Sequence, residues 1–173
     1  MATEGDWAAY RTAVVDVVPA HRAPFRIVPA DPGSIGPWPE GLRAPVVVVT
    51  AWNPDSVRLG YEENSARHRA LVAELADLGV PWWPATGRDL GEGHAEQGAA
   101  VVGMSEANGL RIGRGHGQAA VYVWTPAAWE VVSCTDDRRH ASGWLLTAVP
   151  EEPGRTPDAE RPRAGRPPTA GER

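Results

Sequence analysis

Val46-Val47-Val48-Val49-Thr50-Ala51-Trp52-Asn53-Pro54 is the stretch from which the rest of this chain can be read. Successive valines suit a strand buried on both faces, because branched side chains are stiff at χ1 and pack well on a pleated surface. Pro54 ends that strand, since it has no N–H and pushes Asn53 towards an extended conformation. Asn53 is therefore a polar side chain at the carboxyl end of a buried strand, shortly before a helix. Ligands commonly lie at that place in open α/β sheets.

Beyond it, residues 61–78 have helical spacing, with Leu71, Leu75 and Leu78 forming a stripe that stops at Gly79 and Pro81. Traced backwards, the same stripe meets Arg67 and Asn64. Residues 81–86 and 98–104 read as strands, and Ser105 as the N-cap of a second helix ending near Gly115. That helix contains Gly109 and Gly113, each costing roughly 0.8 to 1 kcal/mol against alanine, so it needs tertiary support. Residues 119–124 and 129–134 form a hairpin, and residues 143–149 add an edge strand. Before the valines, residues 12–18 and 25–28 pair as a hairpin, and residues 31–45, with four prolines and three glycines, are loop.

The expected fold is one α/β (or α+β) domain over residues 7–149, with a mixed sheet of six or seven strands and two main helices. Residues 150–173 hold six prolines and no aromatic or β-branched aliphatic residue, and read as a Pro/Arg-rich disordered tail.

A chain of 173 residues has room for one ordinary domain with a real core. All 17 basic residues are arginine and the net charge is −5, which makes nucleic acid an unfavourable general partner. The single cysteine, Cys134, excludes an internal disulfide and has no ligand-spaced companion for zinc. The acidic N-terminus lacks the regions of a signal peptide, and no apolar run approaches the ~18 residues of a membrane span. A cytoplasmic protein without membrane contact is expected, a protein partner or homo-oligomer is left open, and no motif names a cofactor.

Thr50-Ala51-Trp52-Asn53-Pro54, Glu63-Asn64 with Arg67 in the next turn, Glu96 ahead of a strand ending in Gly103, and Gly117-Gln118 before Ala120-Val121-Tyr122-Val123-Trp124 form a pattern. Together they resemble the small bacterial proteins of domain-of-unknown-function family 3293 (DUF3293), over about residues 10–134. The resemblance implies a single domain and a polar group made of Asn53, Asn64, Glu96 and Gln118. It implies no activity, because the family is a pattern without an assigned one. The chain departs from that pattern in its glycine-rich second helix with His116, and in His94 or Ala95 where the family carries tryptophan.

Each of these residues has a functional and a plain reading. Asn53 and Asn64 either rim a pocket or cap a turn and a helix start. Arg67 either holds a carboxylate or phosphate near the helix N-terminus or pairs with Glu63, four residues earlier. Glu96, at the start of an apolar strand, is the candidate general acid or base, or else an ion-pair partner. Gln118 is a pocket amide or a loop fastener. His94-x-Glu96 resembles the zinc-deaminase signature but lacks its Pro-Cys-x-x-Cys, and Asp89 and His116 complete no metal-ligand spacing, so no metal site is assigned. Ser56 has no nucleophile-elbow context and Cys134 reads as a core thiol. Trp52, Trp82, Trp124 and Trp144 are expected in the core, with Trp38 or Trp83 exposed.

The leading expectation is a polar pocket lined by Asn53, Asn64, Arg67, Glu96 and Gln118 for a small anionic metabolite or nucleotide, with Glu96 as base in hydrolase-like chemistry. The rival is a non-catalytic interaction module that docks through exposed tryptophans and an acidic surface.

Overall fold

The four valines are buried, and they face two different surroundings. Val46 and Val48 pack in one cluster with Val15, Ile27, Ala85, Ala100, Trp129 and Trp144 among others, while Val47 and Val49 pack in a second with Leu71, Leu75 and Ile112. Residues from distant strands can share the first cluster only if the sheet curls round on itself. The second cluster is the outer surface of that sheet under two helices.

The computed structural model describes residues 3–89 and 93–150. In chain order the elements are α1 (Glu4–Thr12), β1 (Val14–Val17), β2 (Phe25–Ala30), β3 (Val46–Thr50), a 3-10 turn (Pro54–Ser56), α2 (Tyr61–Asp77), β4 (Trp82–Arg88), β5 (Ala95–Val102), α3 (Glu106–Gly115), β6 (Ala120–Trp124), β7 (Trp129–Ser133) and β8 (Arg139–Ala148). The strands form a closed barrel in the order β1-β2-β8-β7-β6-β3-β5-β4. All strand pairings are antiparallel. An eight-stranded barrel has an interior that side chains just fill, or that holds one small ligand.

The single α+β domain is as expected, but the expected mixed sheet of six or seven strands is corrected to eight antiparallel strands in a closed barrel. The two-sided burial of the valines, read as the mark of an open sheet, is met equally by a barrel with a filled interior and helices outside. The segment expected as an edge strand is β8, which joins β2 to β7 and so closes the barrel. A third helix, α1, covers residues 7–10, a stretch that can open a short helix, and includes Thr12, which was expected to begin a strand. Its start is fixed by a capping box, in which the Thr3 hydroxyl accepts from the Asp6 N–H and the Asp6 carboxylate accepts from the Thr3 N–H.

The glycines of α3 are what allow it to dock. A Cβ at Gly109 would stand 2.5 Å from Val47 Cγ1, and one at Gly113 would stand 2.8 Å from Val121 Cγ1 and 2.9 Å from Cys134 Sγ. The helix gives up intrinsic propensity and gains a close approach to β3 and β6. Ser105 caps it, accepting from the Asn108 N–H. Burial among these groups pushes the Cys134 thiol up to about 11, which keeps it protonated and inert.

None of the eight tryptophans is exposed. Trp38 and Trp83, one or the other of which was expected at the surface, are both half-buried against the inner cluster. Trp38 donates its ring N–H to Leu42 O at 2.8 Å and lies 4.4 Å from the Trp124 ring. A tryptophan flanked by two prolines read as exposed loop, yet the loop folds back to cover one end of the barrel. Docking through exposed tryptophans thereby loses its premise. The expected tail beyond Pro150 lies outside the described residues. Among the described residues no helix is long and apolar enough to cross a membrane.

Candidate functional site

Strand β3 runs between β5 and β6, with Thr50 opposite Gly98 and Val48 opposite Tyr122. Extending both registers past the end of β3 sets Glu96 and Gln118 on either side of Trp52, at backbone positions about two strand spacings, or roughly 10 Å, apart. Residues 22 apart in sequence are brought to one mouth of the barrel because Gly98 and Ala100 lead inwards on one flank and Ala120 and Tyr122 on the other.

Asn53 joins them. Its backbone is left-handed, at φ 48° and ψ 56°, and not extended as the following proline suggested. Asparagine tolerates that region, and here three hydrogen bonds hold it there. Asn53 Oδ1 accepts from the Leu59 N–H at 2.9 Å and from Asn64 Nδ2 at 2.9 Å, and Asn53 N–H donates to Asn64 Oδ1 at 2.9 Å. Because Leu59 N–H can only donate, the orientation of the Asn53 amide is fixed, and Nδ2 faces Glu96 Oε1, to which it donates at 2.6 Å. Asp55 and Ser56 follow with φ of 55° and 60°, so the short turn carries three residues in a region that L side chains rarely adopt. Asp55 N–H donates to Gly117 O at 2.8 Å, and a Cβ at Gly117 would stand 2.9 Å from Pro54 Cβ.

His94 also meets Glu96, with Nε2 at 2.9 Å from Oε1. Carboxylate oxygen accepts only, so Nε2 carries the hydrogen and Nδ1 is the free nitrogen of the neutral ring. Glu96 Oε2 takes no hydrogen bond from the described residues, and the side chain is 26% exposed. Gln118, 8% exposed, donates Nε2 to Trp52 O at 2.9 Å, which turns its Oε1 away from that carbonyl. His116 is taken by Glu74 Oε2 at 2.9 Å, and among the described residues no group of three His, Cys, Asp or Glu is assembled for a metal ion.

Asn53, His94, Glu96 and Gln118 form one wall of a cavity of about 450 Å³. Val15, Val48 and Tyr122 make its apolar floor, Arg58 and Arg88 are also among the lining residues, and Asp6, Ala9 and Tyr10 of α1 lie over it. Helix α1 is fastened across the mouth. Tyr122 Oη donates to Tyr10 O at 3.1 Å, Tyr10 Oη and Ser56 Oγ share a hydrogen bond at 3.2 Å, and the Arg138 guanidinium sits 5.0 Å from the buried Trp7 ring. Burial raises the Tyr122 hydroxyl well above its ordinary value, with the nearby Tyr10 and Glu96 adding to the shift, so it stays a neutral donor.

Arg88 also donates through Nε to Asp16 Oδ2 at 2.8 Å, and Arg26 donates to Asp16 Oδ1 at 2.6 Å on the outer side of β1. Burial alone would raise the Asp16 carboxyl, but the hydrogen bonds from Arg26 and Arg88 outweigh it and leave it below its ordinary value.

The structure thus brings Asn53, Glu96 and Gln118 to one cavity. Asn64, 2% exposed, stands behind Asn53 and holds it in place without lining the space. Arg67 is apart from the cavity and lies 3.9 Å from Glu63 Oε1 on the half-exposed flank of α2. Sequence reasoning did not place Tyr10, Ser56, Arg58 or Arg88 at the site, and gave His94 only a metal reading. For Tyr10 a signal was present in Thr3-x-x-Asp6, which starts a helix. For Arg58 and Arg88 the sequence offers none, since their place depends on barrel closure.

Residues 49–121 match the family model described as "Protein of unknown function (DUF3293)". The matched stretch contains Asn53, Asn64, Glu96 and Gln118, while α1, which roofs the cavity, lies outside it. No curated protein and no solved structure matches the chain.

Proposed function

We propose, for a chain whose residues 49–121 carry the DUF3293 pattern, that the barrel mouth binds a small polar metabolite with an acidic group. Glu96 would be the residue that exchanges a proton with the ligand or a water. The observation that carries this reading is the pairing of Glu96 Oε2 and Gln118 Oε1. Among the described residues neither is given a hydrogen-bond partner, and both lie beside a cavity of about 450 Å³. That volume lies within the ~300 to 1,000 Å³ of small-molecule sites. Arg58 and Arg88 are among the residues lining the same space, and arginine is the side chain suited to meeting an acidic part of the ligand. Asn53 and His94 hold the Glu96 carboxylate by one oxygen and leave the other for chemistry, the arrangement expected of a positioned acid or base.

A thermal-shift screen of a metabolite library tests this. A ligand at ~100 times its Kd adds about 2.7 kcal/mol and raises the midpoint by several degrees. Glu96→Gln should fold with an unchanged circular dichroism spectrum and lose both the shift and any turnover of the hit. No hit in the library, or a hit whose shift survives Glu96→Gln, would overturn the reading.

A further inference from the structure

We infer that the inner end of this ligand is a cationic nitrogen group, an ammonium or guanidinium, seated between Glu96 and Gln118. The inference rests on the proposed binding at the barrel mouth and adds the class of ligand to it.

Three amides and a ring decide the polarity of the wall, and the orientation of each is fixed by a group of one kind only. Leu59 N–H fixes Asn53, so Nδ2 is spent on Glu96. Asn53 N–H fixes Asn64, whose Nδ2 is spent on Asn53 Oδ1 and on Leu59 O at 3.2 Å. Trp52 O fixes Gln118, whose Nε2 is spent there. His94 Nε2–H is spent on Glu96 Oε1. Apart from the second Nδ2 hydrogen of Asn53, which meets only His94 Nε2 at 3.5 Å, the N–H groups of these side chains are committed inside the protein, and the atoms they leave are acceptors: Glu96 Oε2, Gln118 Oε1 and, in the neutral ring, His94 Nδ1.

Acceptors that are partly withdrawn from water are costly unless a donor meets them. Gln118 is 8% exposed, so little water reaches it. A carboxylate or phosphate seated there would face acceptors alone and a formal negative charge. An ammonium or guanidinium supplies several donors and the opposite charge, and its bond to Glu96 is charge-assisted. A neutral nucleobase edge can supply donors but leaves the Glu96 charge without a counterion. Arg58 is among the residues that line the same cavity, so an acidic outer end of the ligand is compatible with a cationic inner end.

Isothermal titration calorimetry on the full chain, with side-chain amide NMR of Asn53 and Gln118, tests the assignment. The probes are L-arginine, L-ornithine and agmatine, set against succinate and adenosine monophosphate. The nitrogen cations are expected to bind and to shift the Gln118 amide, with affinity falling roughly tenfold to a hundredfold in Glu96→Gln. Gln118→Leu, a separate variant that keeps the Glu96 charge, should weaken binding less. Binding of succinate or adenosine monophosphate at these amides without any binding of the cations would leave the cavity as a site and overturn the cationic assignment. If no probe moves the Gln118 and Asn53 amides, the assignment and the proposed site fall together.

Discussion

At one end of the barrel interior, Trp124, Trp129 and Trp144 are fully buried, and Phe25, Trp38 and Trp83 pack against them. At the other end the same sheet carries Gly87, Glu96, Gly98 and Ala120 around an open volume of about 450 Å³. The backbone at the two ends is the same eight-stranded ring. What differs is the volume carried at each inward position, because β6 passes from Ala120 to Trp124 and β4 from Trp83 to Gly87. A ring of this size can be stoppered by indoles or left hollow by small residues, and this chain does one at each end. The rings at the filled end lie 4.4 to 5.9 Å apart in tilted and edge-on pairs, so the plug is also geometrically specific.

The comparison breaks first at the filled end. Trp124→Ala removes the ring that touches Phe25, Trp38 and Trp144 at once. The expected loss is about 3 to 5 kcal/mol in chemical denaturation, a large fraction of the stability of an ordinary domain. A loss under ~1 kcal/mol would mean that the indoles fill space without supporting the barrel.

That contrast also shows what could be read from residues alone. The valine run, the helix over residues 61–78 and the Ser105 cap each rest on local signals, and each element stands where those signals put it, with α2 over Tyr61–Asp77. Closure of the sheet is not local. It depends on β8 pairing with β2 and β7, a contact between chain regions more than a hundred residues apart in one case, and no short pattern encodes it. The expectation for the glycines of α3 had the right penalty and lacked the benefit, since their purpose appears only when Val47 and Val121 are set beside them. The polar group followed the same division. Asn53, Glu96 and Gln118 were legible as polar residues at strand ends, whereas Arg67 was assigned by its helix stripe, which packs on the outer surface of the sheet and not at the hollow.

Acid sharpens the contrast next, because the hollow end leans on a carboxylate and the filled end does not. Asp16 is 4% exposed and holds Arg26 and Arg88, the second of which lines the cavity. Its pKa is lowered in the folded chain, so its contribution is fully present above the unfolded value of 3.8 and is lost as pH falls through the lower folded value. Asp16→Asn should cost on the order of 2 kcal/mol at neutral pH and flatten the stability profile below pH ~4. In an acid titration the cavity end should loosen while near-ultraviolet circular dichroism from the indoles persists. Simultaneous loss of both signals, or an unchanged acid profile in Asp16→Asn, would show that the two ends are not independent in this respect.

The smallest change in stability belongs to Gly87, and it separates filling from function. A Cβ at Gly87 meets nothing within 4 Å, whereas one at Gly109 meets Val47 at 2.5 Å, although both glycines lie inside regular elements. Gly87→Ala should therefore change the unfolding free energy by no more than ~0.5 kcal/mol, since it adds a methyl group to open space and lowers the freedom of the unfolded chain. Gly87→Leu should still fold, because the extra side chain enters a volume that nothing occupies within the chain. If the hollow is there to receive a ligand, the leucine variant keeps its stability and loses the thermal shift given by any hit at the Glu96 wall. If the hollow is only an unfilled core, the leucine variant gains stability by covering Val15 and Val48, and no ligand response exists to be lost.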